Sequence, residues 1–307
     1  MNIQICIITG QPLANLIPLL QYKPDHIILL QSKGMKDRGN GMISVLELAG
    51  WRTEQIELDD KLPDTSYEQI LDFALEFAEE LRRRYPESVF TYNATGGNKL
   101  MSMALSSVFD QEKDRVIYAD TKHQHIEYLH PSSAKIEPMQ SCLTIELYLK
   151  AMGKTLRSRQ DTNTTWLERA NARKDASRYL GENTQDLQGL ISQFNRHFAE
   201  FNNSEDAPST FRLATQPHTS WKTALKKLTA TGVLADNGNN SWLPSHIDCA
   251  KYLSGGWLEE YTWHCARDSL PLNAQKENAA ISAQVTDDSK PNADIRNEAD
   301  VILLANN

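Results

Sequence analysis

Long apolar runs are missing from this 307-residue chain. No stretch approaches the roughly 18 consecutive apolar residues of a membrane span, and no basic segment leads into an apolar run with a cleavage site at the N-terminus. Membrane insertion and secretion are therefore not expected, and a cytoplasmic protein is. Cysteine is scarce. Cys6, Cys142, Cys249 and Cys265 stand without paired spacing, which excludes a disulfide framework or a zinc ribbon. An excess of basic charge is absent as well: 32 Lys and Arg against 40 Asp and Glu leave a formal charge of −8. That balance excludes a basic coat for nucleic acid and confines any such site to a local groove. Neither the Gly-x-x-x-x-Gly-Lys-Ser/Thr spacing of nucleotide hydrolases nor Gly-x-Gly-x-x-Gly occurs where a phosphate loop is expected, so ATP hydrolysis and NAD chemistry are unsupported.

What is present is an ordinary globular composition, 40% apolar, over a length that suggests about two domains. The first 130 residues alternate strand and helix patterns. Ile3 to Ile8 is a β-branched run broken by Thr9-Gly10-Gln11-Pro12, and Leu13 to Leu20 follows as a helix. His26 to Leu30 is a second strand, closed by the polar Gln31-Ser32-Lys33-Gly34 loop. A helix carrying Met42, Val45 and Leu46 comes next, then a weaker strand over Glu54 to Leu58. Tyr67 to Arg84 is an amphipathic helix with Ile70, Ala74, Phe77 and Leu81 on one face. Ser88 to Tyr92 is another strand, and Arg115 to Ala119 with His125 to Leu129 read as a hairpin. Such alternation predicts an α/β fold, a Rossmann-like, mostly parallel sheet with helices on both faces and ligands outside the carboxyl ends of its strands.

Three loops then open on one edge: Gly10-Gln11-Pro12, Ser32-Lys33-Gly34 and Thr95-Gly96-Gly97-Asn98-Lys99. The last joins a strand to an apolar helix. Paired glycines let backbone N–H groups approach a ligand, the helix N-terminus favours anionic oxygens, and Lys99 adds a positive charge. A phosphate-bearing ligand suits all three features. Asn93-Ala94-Thr95-Gly96-Gly97-Asn98-Lys99-Leu100-Met101 resembles the Asn-x-Thr-Gly-Gly-Thr-Lys-x-Met signature of CARF domains, with Asn98 at the usual Thr position. CARF domains are Rossmann-like sensors of cyclic oligoadenylate in type III CRISPR systems. The resemblance implies a homodimer that closes one symmetric pocket around the ligand, cyclic tetra-adenylate being the expected ring. Gly10, Gln11, Pro12, Ser32, Lys33, Thr95, Gly96, Gly97, Asn98 and Lys99 are the expected contacts.

On this reading residues 1–143 are the sensor and 144–184 a linker with connecting helices. In the linker Arg169 to Arg178 is a basic run placed on a solvated helix face. Residues 185–250 form a helical, winged-helix-like segment. Its helix carries Lys222, Lys226 and Lys227, and the turn Asp236 to Asn240 joins two short strands. Residues 251–307 hold the second informative stretch. Gly255-Gly256-Trp257-Leu258-Glu259 and Asn297-Glu298-Ala299-Asp300-Val301 resemble the Gly-x-x-Leu-Glu helix and Asn-Glu-x-Asp-Val strand of the PD-(D/E)xK nuclease domain fused to CARF sensors. That resemblance implies a metal-dependent endonuclease acting on DNA or RNA with Mg2+ or Mn2+. Glu259 and Asp300 are its expected catalytic carboxylates, and Glu259, Glu298 and Asp300 its metal ligands. The Glu-x-Lys strand expected after Asp300 does not follow; Gln275-Lys276-Glu277 has the wrong order and precedes it. A nuclease domain truncated at its C-terminus and deficient in cleavage is therefore expected. A ligand-responsive DNA-binding module without hydrolytic activity is the other reading.

Overall fold

The computed structural model describes residues 1–132, 136–203, 207–271, 276–290 and 297–305. The N-terminal part runs β1 (Asn2–Ile7), α1 (Leu13–Tyr22), β2 (His26–Ser32), α2 (Lys36–Leu48), β3 (Ile56–Leu62), α3 (Tyr67–Arg84), β4 (Val89–Asn93), α4 (Lys99–Val108), β5 (Arg115–Asp120), β6 (His125–His130) and β7 (Glu137–Pro138). These seven strands form one sheet in the order β3-β2-β1-β4-β5-β6-β7. The first five pair in parallel, and β6 and β7 add antiparallel. The expected α/β fold with a mostly parallel sheet is thus observed.

The unbroken apolar runs of β1 and β2 follow from burial on both faces. With a side-chain period of two, Ile3, Ile5 and Ile7 pack with Ile28, Leu30 and Phe90 beneath α3 and α4. Cys6 and Ile8 face the other way, with Ile27 and Leu29 against α1 and α2. β2 is longer than its pattern predicts: Gln31 and Ser32 belong to the strand and are buried, and Ser32 pairs with Leu62. The polar pair expected in the loop is therefore strand, and only Lys33 begins the turn.

Beyond the sheet follow α5 (Ile145–Ala151), β8 (Lys154–Ser158), α6 (Thr164–Ala172), α7 (Lys174–Glu182), α8 (Thr184–Phe198), β9 (Phe211–Arg212), α9 (Thr219–Ala230), β10 (Leu234–Gly238), β11 (Ser241–Pro244), α10 (Ile247–Lys251), α11 (Trp257–Ser269), β12 (Ala279–Asp287) and β13 (Asn297–Leu303). A single π-helical turn, Tyr252–Gly256, joins α10 to α11. The expected helix and hairpin of the middle segment are present, with β9 added to make a three-stranded sheet β10-β11-β9. The polar stretch Ser204-Glu205-Asp206, which in the sequence follows the apolar stripe of Leu187, Leu190, Phe194 and Phe198, lies outside the described residues. The border expected at residue 251 falls inside one packed unit, because Cys249, Tyr252, Leu253 and Trp257 share a core with Leu190, Phe194 and Leu228.

A third sheet, β13-β12-β8, is antiparallel throughout. Its strand β8 comes from the stretch expected to be linker, and β12 had no sequence signal. Asn278 ties this sheet to the first unit: its side chain donates to the Leu143 carbonyl at 3.0 Å, and its own carbonyl accepts from Leu304 N at 2.8 Å. After β13 the description extends through Ala305; Asn306 and Asn307 lie outside the described residues, as does Gln275.

Candidate functional site: a glycine loop and an acidic cluster

The strand order places β1 between β2 and β4. Because all three run parallel, the loops beginning at Ile8, Lys33 and Ala94 leave adjacent strands at the same carboxyl edge, where the order of the strands reverses. The loop after β4 is fixed by buried hydrogen bonds. Asn93 donates to the Ala14 carbonyl at 2.9 Å and to Asn15 Oδ1 at 3.2 Å. Its Oδ1 accepts from the Thr95 backbone N at 3.1 Å and hydroxyl at 2.6 Å. Thr95 Oγ1 in turn accepts from Ala119 N at 2.7 Å. Thr95 therefore staples β4 to β5 rather than standing free for a ligand.

Gly96 and Gly97 are required by close approach. A Cβ on Gly96 would stand 2.4 Å from the Ile7 carbonyl oxygen. Gly97 has φ +78°, and its Cβ would lie 2.9 Å from the Ile7 side chain. Asn98 caps α4: its Oδ1 accepts from Met101 N at 3.0 Å, and its Nδ2 donates to the Asp64 carbonyl at 3.3 Å. Asn serves at an N-cap as well as Thr does, which accounts physically for its presence there. What the loop presents outward is the first turn of α4 with exposed Gly97, Asn98 and Lys99.

Gly10, Gln11 and Pro12 line a cavity of 1020 Å³ together with Thr121, Gln124 and Leu304. Ser32, Lys33 and residues 95–99 do not line it. The structure thus brings the three loops to one edge of the sheet without enclosing them in one cavity of the single chain.

The second group converges from two elements distant in sequence. Glu259 lies in the first turn of α11, and Glu298 and Asp300 are two apart on β13, hence on one face of the strand. Burial, then the charges of Asp300 and Glu298, hold the Glu259 carboxyl above its usual range, while a hydrogen bond from Ser282 opposes the rise. Glu259 with its two neighbouring carboxylates makes an all-oxygen donor set of the kind hard divalent cations take, and an ion there would relieve the repulsion on Glu259. In donor type they suit Mg2+ or Mn2+, although among the described residues their ligand atoms do not form a group within 4.8 Å of one another.

Glu260, the next residue, turns inward and is 1% exposed. Arg173 grips it from Nε at 3.0 and 2.9 Å and from Nη2 at 2.7 Å, and Ser177 Oγ donates at 2.9 Å. This corrects the placing of the basic run on a solvated face. Arg173 is buried, and Lys174 and Arg178 both pair with Asp268 of α11. The run is basic because α11 is acidic opposite it. A cleft of 360 Å³ beside the acidic cluster is lined by Glu259, Arg169, Lys251 and Trp166; of these, Lys251 and Trp166 were not singled out by the sequence pattern. Of the lysines on α9, Lys227 sits 5.6 Å over the Tyr179 ring, while Lys222 and Lys226 line a groove with Asp236 and Trp242.

With this geometry in place, residues 3–148 match the family described as CARF_Card1, the Card1 CARF domain. No curated protein matches the sequence. Among solved structures, protein VC1899 from Vibrio cholerae is similar with a TM-score of 0.76 at 17% identity, over 98% of this chain and 77% of that one. Can2 from Sulfobacillus thermosulfidooxidans, solved in complex with cyclic tetra-adenylate, is similar with a TM-score of 0.64 at 20% identity, over 99% of this chain and 76% of that one. At these identities the likeness is one of fold. The domain match covers the N-terminal sheet unit, and the wider likeness is one of fold. No helix among the described residues is long and apolar enough to cross a membrane.

Proposed function

We propose that this chain is a ligand-controlled effector: its N-terminal sheet edge binds a cyclic oligoadenylate, and its C-terminal acidic cluster holds a divalent cation for phosphodiester hydrolysis. The observation that carries the sensor half is the loop after β4. Its backbone is pinned by Asn93 and Thr95, and it aims the exposed N-terminus of α4 and Lys99 away from the sheet at the strand-order switch. Ring phosphates suit that positive edge. The similarity to Can2, whose structure holds cyclic tetra-adenylate, favours that ring. A two-fold ring is met by two copies of the edge, so the acting unit is a homodimer with Gly97, Asn98 and Lys99 of each copy at the ligand.

For the effector half, Glu259, Glu298 and Asp300 would hold Mg2+ or Mn2+, which supplies Lewis acidity and lowers the pKa of attacking water. Arg169 and Lys251, in the adjoining cleft, would receive the phosphate backbone of DNA or RNA. Ligand closure of the dimer edge shifts the effector only by its differential affinity for the closed state.

Isothermal calorimetry against cyclic tri-, tetra- and hexa-adenylate, with linear oligoadenylates as controls, tests the sensor. One cyclic tetra-adenylate per two chains is expected, with Lys99→Ala weakening binding by about tenfold, as loss of one charge-assisted contact does. No binding of any ring by folded dimer would remove the assignment.

A further inference from the structure

We propose that the β5–β6 hairpin carries a site for a zinc-type transition-metal dication, built from Asp120, His125 and Glu127. This site is separate from the acidic cluster and does not rest on the proposed nuclease activity. In the antiparallel register Asp120 stands directly opposite His125, and Glu127, two residues on, shares its face. One ligand atom from each of the three lies within 4.8 Å of the others. A metal with bonds of about 2.0–2.2 Å needs only modest side-chain rotation to draw them together. All three side chains are partly shielded rather than free in solvent.

The surroundings orient the donors as outer groups of metal sites do. His125 Nδ1 faces the His123 carbonyl at 3.4 Å and Nε2 donates to Glu127 Oε1 at 2.8 Å; a metal would take the place of the Nε2 proton between the two, with Nδ1–H still held by the carbonyl. Asp120 Oδ1 accepts the backbone N–H groups of Lys122 and His123 at 3.1 and 3.0 Å, which fixes its carboxylate in the turn. His123 Nδ1 reaches Asp120 Oδ2 at 2.8 Å and stands ready as a fourth donor. One or two imidazoles among carboxylates select zinc or manganese over magnesium and calcium, which prefer all-oxygen shells.

The position gives the site a use. Thr121 and Gln124, in the same turn, line the 1020 Å³ cavity that Gly10 to Pro12 enclose from the other side. A bound ion would clamp β5 to β6 at its rim and hold that wall fixed.

The test is Zn2+ titration of the metal-free full chain by calorimetry, repeated with Co2+ to read ligand-field absorption. Wild type, His125→Ala, Glu127→Gln and Asp300→Asn are compared, each in a Cys265→Ser background to remove the exposed thiol. One metal equivalent is expected to vanish in His125→Ala. In Glu127→Gln it should weaken more than about tenfold, and in Asp300→Asn it should persist with its cobalt spectrum. Circular dichroism confirms that each variant is folded. Absence of any Zn2+ binding in wild type, or retention of every equivalent in folded His125→Ala, overturns the proposal.

Discussion

The glycine loop and the acidic cluster are both built at the ends of strands, yet opposite physics holds them. In the loop, shape and hydrogen bonding do the work: Gly96 lies against the Ile7 carbonyl, and Asn93 and Thr95 satisfy one another and neighbouring backbone. No charge is buried there. In the cluster, charge dominates. Glu260 is neutralised behind the site by Arg173, while Glu259 in front is left facing Glu298 and Asp300. A neutral scaffold can present backbone dipoles to an anion without cost in the empty state. A site for a cation must instead be assembled from groups that repel one another, so it needs a strong tie elsewhere in the same helix. Adjacent Glu259 and Glu260 divide these tasks.

If that division is right, the largest effect should come from the tie. Arg173→Ala leaves Glu260 buried without its partner and should cost about 3–5 kcal/mol in urea unfolding, whereas replacing both by Met should recover most of it. Gly96→Ala comes next. Its Cβ meets backbone rather than a flexible side chain, so the loop or β1 must move, at about 1–3 kcal/mol. The same variant should lose cyclic tetra-adenylate affinity in calorimetry. The smallest effect has the opposite sign. The carboxyl of Glu259 is raised in the folded state, so its contribution is fully present below the unfolded carboxylate range and is lost as pH rises through the folded value. At neutral pH the metal-free cluster therefore opposes folding. Asp300→Asn in chelator should raise the melting temperature by roughly 1–3 °C, and the gain should shrink toward pH 4. A lower melting temperature would show that the cluster is not repulsive.

Much of this was legible in the sequence, and the limits have physical reasons. β1 and β2 announce themselves as continuous β-branched runs because both faces are covered, and α3 shows its buried stripe at helical spacing. The Gly96-Gly97 turn was readable, since few other arrangements use two glycines between a strand and an apolar helix. Glu259, Glu298 and Asp300 were picked out by family likeness, and the fold does bring them together. β12 was invisible because its inward residues, Ala280 and Ala283 among them, are small and carry little strand preference. β8 is polar and short, and only its distant partner makes it a strand. The role of Arg173 depends on Glu260, 87 positions away, which no local pattern reports. The alternation of His123, His125 and Glu127 was present in the sequence, but the register against Asp120 gives it meaning.

The pairing of β8 with β12 also sets a schedule. β8 ends at Ser158 and its partner begins at Ala279, so during synthesis the strand emerges and waits while the whole middle of the chain is made. At roughly 5–20 residues per second that interval lasts many seconds, with β8 presenting an unpaired edge beside an already folded sheet. Its sequence meets the hazard: Lys154, Arg157 and Ser158 make a poor template for another chain. The polarity that hid this strand from pattern reading also makes its waiting edge a poor template until β12 is made.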